Sequence, residues 1–157
     1  MAIKKTIKSI LIEDRQKKIE IDHRRIRHSM KKILNLLDCD DKEISLLFVD
    51  DDEIRKINHL YLNRDYPTNV ISFSLSEGEF GNVNPHILGD IVISVETALN
   101  DSEAAGINLN DELDFLMIHG ILHLLEYDHE NTTEDEIQKM EKKEQELFNI
   151  LKEYCNE

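Results

Sequence analysis

The chain has 157 residues, 40% apolar and 33% charged, a length and balance that suit one folded domain over residues 1–157 and exclude a disordered or fibrous chain. Its net charge of −14 argues against indiscriminate attraction to polyanions, yet residues 1–40 hold eleven Lys and Arg against six Asp and Glu, leaving −19 for the remainder. No run approaches the roughly 20 apolar residues of a membrane span, no segment near Met1 resembles a signal peptide, and Cys39 and Cys155 lack framework spacing, so a cytoplasmic protein is expected.

In chain order, "TIKSILIED" and "KKIEID" predict one strand or a loose hairpin. Asp22 is the expected N-cap of a helix whose Ile26, Met30, Ile33 and Leu37 form one apolar stripe. Arg24, Arg25, Arg27, Lys31 and Lys32 lie on its other faces and make the natural phosphate-contacting surface, set against the plainer reading of a solvated basic face. "EISLLFVD" reads as a buried strand. One of Asp50, Asp51 and Asp52 should cap the next helix, which runs through "DDEIRKINHLYLN" with Ile54, Ile57 and Tyr61 on its core side and Pro67 beyond it as a breaker. "NVISFSL" and "GDIVISV" are expected to pair antiparallel across a turn-rich loop. Three helices should follow: one to about Ala105, one across "NDELDFLMIHGILHLLEY" capped by Asn110, and one across "TEDEIQKMEKKEQELFNILKEY" capped by Thr132 or Thr133. The expected fold is α+β, a small mixed sheet with helices packed against it and a three-histidine metal site at the end of a central helix.

That site rests on "HGILHLLEYDH", where His119 and His123 are i and i+4 and so leave one helix face about a turn apart. His129 joins them only if the chain turns back after the helix, because an unbroken helix would carry it roughly 240° away. Three histidines leave one position of a tetrahedral Zn²⁺ open, the arrangement of a catalytic ion that activates water. A lone i, i+4 histidine pair would more often be chance; the third histidine on an apolar background is what favours metal. His23, His28, His59 and His86 have no such partners and read as surface or packing residues. The spacing matches the metzincin proteases, but Gly120 stands where those enzymes carry their general-base Glu, which disfavours peptide hydrolysis.

With these residues in view, the sequence resembles the YbeY family of bacterial rRNA maturation factors. Its motif H-G-x-L-H-L-x-G-Y-D-H is matched by His119, Gly120, Leu122, His123, Leu124, Tyr127, Asp128 and His129, and "DYPTNVISFS" and "LGDIVIS" agree with two further family segments. The resemblance implies a single-strand-specific, metal-dependent endoribonuclease acting near the 3′ end of 16S rRNA and in ribosome quality control. It also implies one zinc ion on His119, His123 and His129, with rRNA and the 30S subunit as partners, no DNA and no membrane. The chain departs from the family pattern twice. Glu126 replaces a glycine that would ease the turn toward His129, and Leu62 replaces an arginine thought to contribute to cleavage. Arg64, two residues on, is a candidate to supply that guanidinium, beside the reading of an ordinary surface arginine. Asp128 either orients a histidine or finishes the turn, and Asp90, an acidic residue opening an apolar strand, is a candidate support for the site. Two other readings stay open: an assembly factor with a structural zinc, and a small zinc hydrolase of other substrates.

Overall fold

A computed structural model describes residues 10–75, 86–125 and 133–155. The described elements run β1 (Ile10–Asp14), α1 (His23–Leu36), β2 (Glu43–Val49), α2 (Asp51–Leu62), β3 (Val70–Ser74), β4 (Ile87–Ser94), α3 (Val95–Ala105), α4 (Leu109–Leu124) and α5 (Glu134–Cys155). The strands form one sheet in the order β1-β2-β4-β3. β1 and β4 flank β2 in parallel, and β3 closes the far edge antiparallel to β4, so the sheet is mixed as the sequence predicts.

Side-chain alternation divides the sheet into two unequal faces. Ile10, Ile44, Leu46, Phe48, Ile91 and Ile93 pack with buried residues of α1, α3, α4 and α5 in the larger core. Val49, Ile71 and Val92 face the other way and pack against Ile54 of α2. β2 is apolar almost throughout because it lies in the middle of the sheet with a core on each side.

Local chemistry explains most boundaries. Asp22 accepts from the Arg25 amide, and Asp50 from the Glu53 amide, so both expected caps close a helix N-terminus. Thr133 does so for α5, its Oγ1 3.3 Å from the Glu136 amide. Only the first of the two N-terminal runs forms a strand. After β1, the side chain of Gln16 holds the chain by accepting from the Lys18 and Ile19 amides and donating to the Ile19 carbonyl.

One boundary differs from expectation. Asn108 rather than Asn110 caps α4, accepting from the Asp111 amide at 2.8 Å. The earlier start lets Leu109 pack against the core one turn before Leu113. α2 ends where its predicted run "DDEIRKINHLYLN" ends, at Asn63, in the left-handed conformation at φ 56° and ahead of Pro67. Asn tolerates that conformation, so no proline is needed to stop the helix. The predicted core side of α2 holds at Ile54, which is buried, and at Ile57, which packs against the same cluster, whereas Tyr61 is 65% exposed and meets Phe73 edge-on. Asn58 is buried as well, its side-chain amide donating to the Tyr66 carbonyl at 2.9 Å and fixing the returning chain.

Candidate functional site

α4 enters the larger core beside β3 and β4, and Gly120 sets how closely. A Cβ at position 120 would lie 2.9 Å from Ile91 Cδ1 and 3.1 Å from its Cγ2. The Ser72 hydroxyl donates to the Gly120 carbonyl at 3.2 Å, tying the middle of the helix to β3. The glycine that argues against a protease therefore has a packing reason: a glutamate there would have no room against β4.

His119 and His123 project from α4 with ring centroids 4.3 Å apart and their Nε2 atoms 2.7 Å apart. The two imidazoles thus converge through the same ring nitrogen, as the i, i+4 spacing predicts. His119 Nδ1 lies 2.9 Å from Oε1 of Glu144 on α5. A carboxylate only accepts, so Nδ1 carries the proton and Nε2 of a neutral His119 is left with its lone pair directed at His123. Nitrogen donors whose orientation is fixed by a carboxylate are the chemistry of a zinc site. Among the described residues no group of three or more His, Cys, Asp or Glu side chains is assembled for a metal. His129, Asp128 and Glu126 lie outside the described residues, so the expected three-histidine site is present here as two of its histidines.

Glu144 was not singled out by the sequence reading, although a signal was there. Among the described side chains of α5, Met140, Glu144, Leu147 and Leu151 are buried, spaced four, three and four, so an acidic residue occupies an apolar stripe position. Burying a carboxylate there is costly without a partner, and the partner is a predicted metal ligand.

The remaining candidates are dispersed. Asp90 pairs in register with Ser45 and Phe73, whereas its neighbour Ile91 pairs with Leu46 and Ser72 and meets Gly120. Alternation therefore turns Asp90 away from α4, so it does not support the histidines. It lines a groove of about 500 Å³ with Glu13, Arg15, Ser45, Tyr61 and Phe73 on the α2 side. Burial pushes its carboxyl up, and a hydrogen bond from Ser45 partly offsets that. Arg64 is exposed on the connection from α2 to β3, with neighbouring Asp65 paired to Arg55 at 2.8 Å.

The basic face of α1 is narrower than its sequence suggests. Arg25 gives both terminal nitrogens to Asp114 of α4, at 3.2 and 2.7 Å, and Arg27 donates to the Ile10 carbonyl at 2.7 Å. Both guanidiniums make these contacts within the fold, which leaves fewer of their donors for phosphate. Arg24 and Lys31 are exposed, and Lys32 is half-buried.

A model of the family described as Endoribonuclease YbeY matches residues 11–152. The chain belongs to the YbeY family. It is 62% identical over 146 residues to the Endoribonuclease YbeY of Syntrophus aciditrophicus, covering 93% of this chain and 91% of that one. The YbeY of Syntrophotalea carbinolica is 49% identical over 144 residues, covering 92% and 96%, and that of Geobacter sulfurreducens 46% over 142, covering 90% and 95%. The solution structure of TM1509 from Thermotoga maritima shares the fold with a TM-score of 0.61 at 22% identity, over 92% of this chain and 93% of that one. The YbeY membership rests on nearly the whole length, including α1 and α5 as well as the histidine motif. No helix among the described residues is long and apolar enough to cross a membrane.

Proposed function

We propose that this YbeY-family chain is a cytoplasmic, zinc-dependent endoribonuclease that cuts single-stranded RNA in maturing the 3′ end of 16S rRNA on the 30S subunit, and so serves ribosome quality control. The observation that carries the reading is the convergence of His119 and His123 through Nε2 atoms 2.7 Å apart, with His119 oriented by buried Glu144, in a member of a family described as endoribonucleases. His119, His123 and His129 would hold the ion. When bound, zinc supplies Lewis-acid charge to a phosphoryl oxygen and lowers the pKa of water. The chain's own part is to fix the histidines on α4, which Gly120 seats against β4. Arg64 is the candidate to steady charge on the scissile phosphate, and Arg24 and Lys31 to hold the RNA backbone. Asp128, adjacent to His129, is the candidate to orient that ligand.

The test joins metal content to cleavage of a single-stranded RNA. His123→Ala is expected to stay folded, to lose zinc and to lose cleavage by at least a hundredfold. Full cleavage by zinc-free wild type would sink the proposal. Unfolding of the wild type on zinc removal would instead favour the assembly factor with a structural ion, since a catalytic ion is removed with the fold retained.

A further inference from the structure

Glu144 is 5% exposed, sits on the apolar stripe of α5 between Met140 and Leu147, and lies 25 residues beyond the histidine it meets. A carboxylate in such a place is retained against the cost of removing it from water, a cost that a methionine or leucine would avoid. Its Oε1 is 2.9 Å from Nδ1 of His119, on the side of the ring away from the nitrogen that faces His123. The contact is made between two helices that also pack directly on each other, so the ring is held from a rigid neighbour and not from its own helix.

We infer that Glu144 is the positioning residue of the metal site: it locks His119 in the Nδ1–H form and rotamer that offers Nε2, and thereby sets how tightly zinc is held. This rests on the reading of His119 and His123 as zinc ligands. Two consequences follow from the chemistry. A hydrogen-bonded carboxylate raises the basicity of the ligating nitrogen, and losing such a partner commonly costs ten- to a hundredfold in metal affinity. Fixing one ring also fixes the pair, because His119 Nε2 and His123 Nε2 are in direct contact. A purely structural ion pair between α4 and α5 would act otherwise: its loss would lower the stability of the metal-free protein and leave zinc affinity where it was.

The experiment measures zinc affinity by competition with a chromophoric chelator, and thermal unfolding of the zinc-free protein, in the full chain. Glu144→Met keeps the volume and removes the acceptor. It is expected to bind zinc ten- to a hundredfold more weakly while the zinc-free protein melts no lower than wild type. Glu144→Gln keeps an acceptor oxygen at the same reach and should stay within about tenfold of wild type. Glu144→Asp keeps the charge, shortens the reach by one methylene, and should weaken zinc at least fivefold. It also provides the decision should the methionine variant not fold. Wild-type affinity in the methionine variant, or in the aspartate variant should the methionine one not fold, overturns the inference and leaves the metal reading standing. A wild type that takes up no zinc overturns the metal reading, and this inference with it.

Discussion

Asp114 has no solvent exposure, and its charge is met by the two terminal nitrogens of Arg25. Burial pushes its carboxyl above the usual range, and the guanidinium only partly opposes that shift. A group whose folded pKa is raised contributes stability that is present below its unfolded value, about 3.9, and is lost as pH climbs through the folded one. Removing Arg25 takes away the opposing influence and widens that loss. Arg25→Met is therefore expected to destabilise by about 3–5 kcal/mol near neutral pH, as broken buried pairs do, and by clearly less near pH 4, where Asp114 can take up a proton. Urea unfolding at the two pH values checks this; an equal deficit at both would show that Asp114 is not the source. The same pair marks a limit of the sequence. Arg25 and Asp114 are 89 residues apart, and nothing local distinguishes an arginine spent on a buried partner from its exposed neighbour Arg24. His119 and His123 were legible because one helical turn brings them together, whereas Glu144 and Arg25 depend on tertiary pairings.

At the scale of elements, two close approaches join the sheet to its neighbours. Gly89 in β4 has φ 148°, and a Cβ there would sit 2.1 Å from the Phe73 carbonyl oxygen of β3 and 3.0 Å from Leu124 Cδ2 of α4. The obstacle is backbone, which cannot yield without breaking the pairing of Ser74 with Gly89. At Gly120 the obstacle is a side chain and not backbone, Cδ1 and both γ carbons of Ile91, and alanine also gains helix propensity of up to about 1 kcal/mol. Gly89→Ala is thus expected to cost about 3 kcal/mol or more and to speed amide exchange along β3. Gly120→Ala should cost about 1 kcal/mol net of overpacking. Chemical denaturation of both variants, with hydrogen exchange on the first, tests the order; a milder Gly89→Ala would refute the account of that contact. The element types and the antiparallel pairing of β3 with β4 follow from periodicity and short connections, which are local properties. Helix ends were harder. Asn108 and Asn110 are equally good caps by residue type, and the choice falls to Leu109, whose packing against the core is a property of the fold.

Across the whole molecule, α1, α3, α4 and α5 cover one face of the sheet, with His119 and His123 on α4, while α2 covers the other and leaves the groove that Asp90 lines. On the proposed reading, RNA that reaches His119 and His123 approaches the helical side, against a net charge of −14. α1 packs beside α4 and α5, so its exposed cations lie on that side of the molecule. Among the five basic residues read from its sequence, Arg25 and Arg27 are spent internally, which leaves Arg24 and Lys31 as the exposed ones to meet phosphate. Two classes of variant should then separate cleanly. Arg24→Glu with Lys31→Glu is expected to leave unfolding unchanged and to weaken binding of single-stranded RNA. The slope of log affinity against log salt should become shallower by roughly 0.7 for each phosphate contact removed. Arg27→Glu breaks the bond to the Ile10 carbonyl, so its loss of RNA binding should track loss of fold and leave the salt slope of the folded fraction intact. Salt titration of a fluorescent single-stranded RNA against each purified variant reads both. An unaltered slope in the Arg24 and Lys31 double variant would make this face of α1 a solubilising surface and place the phosphate contacts on other cations of the chain.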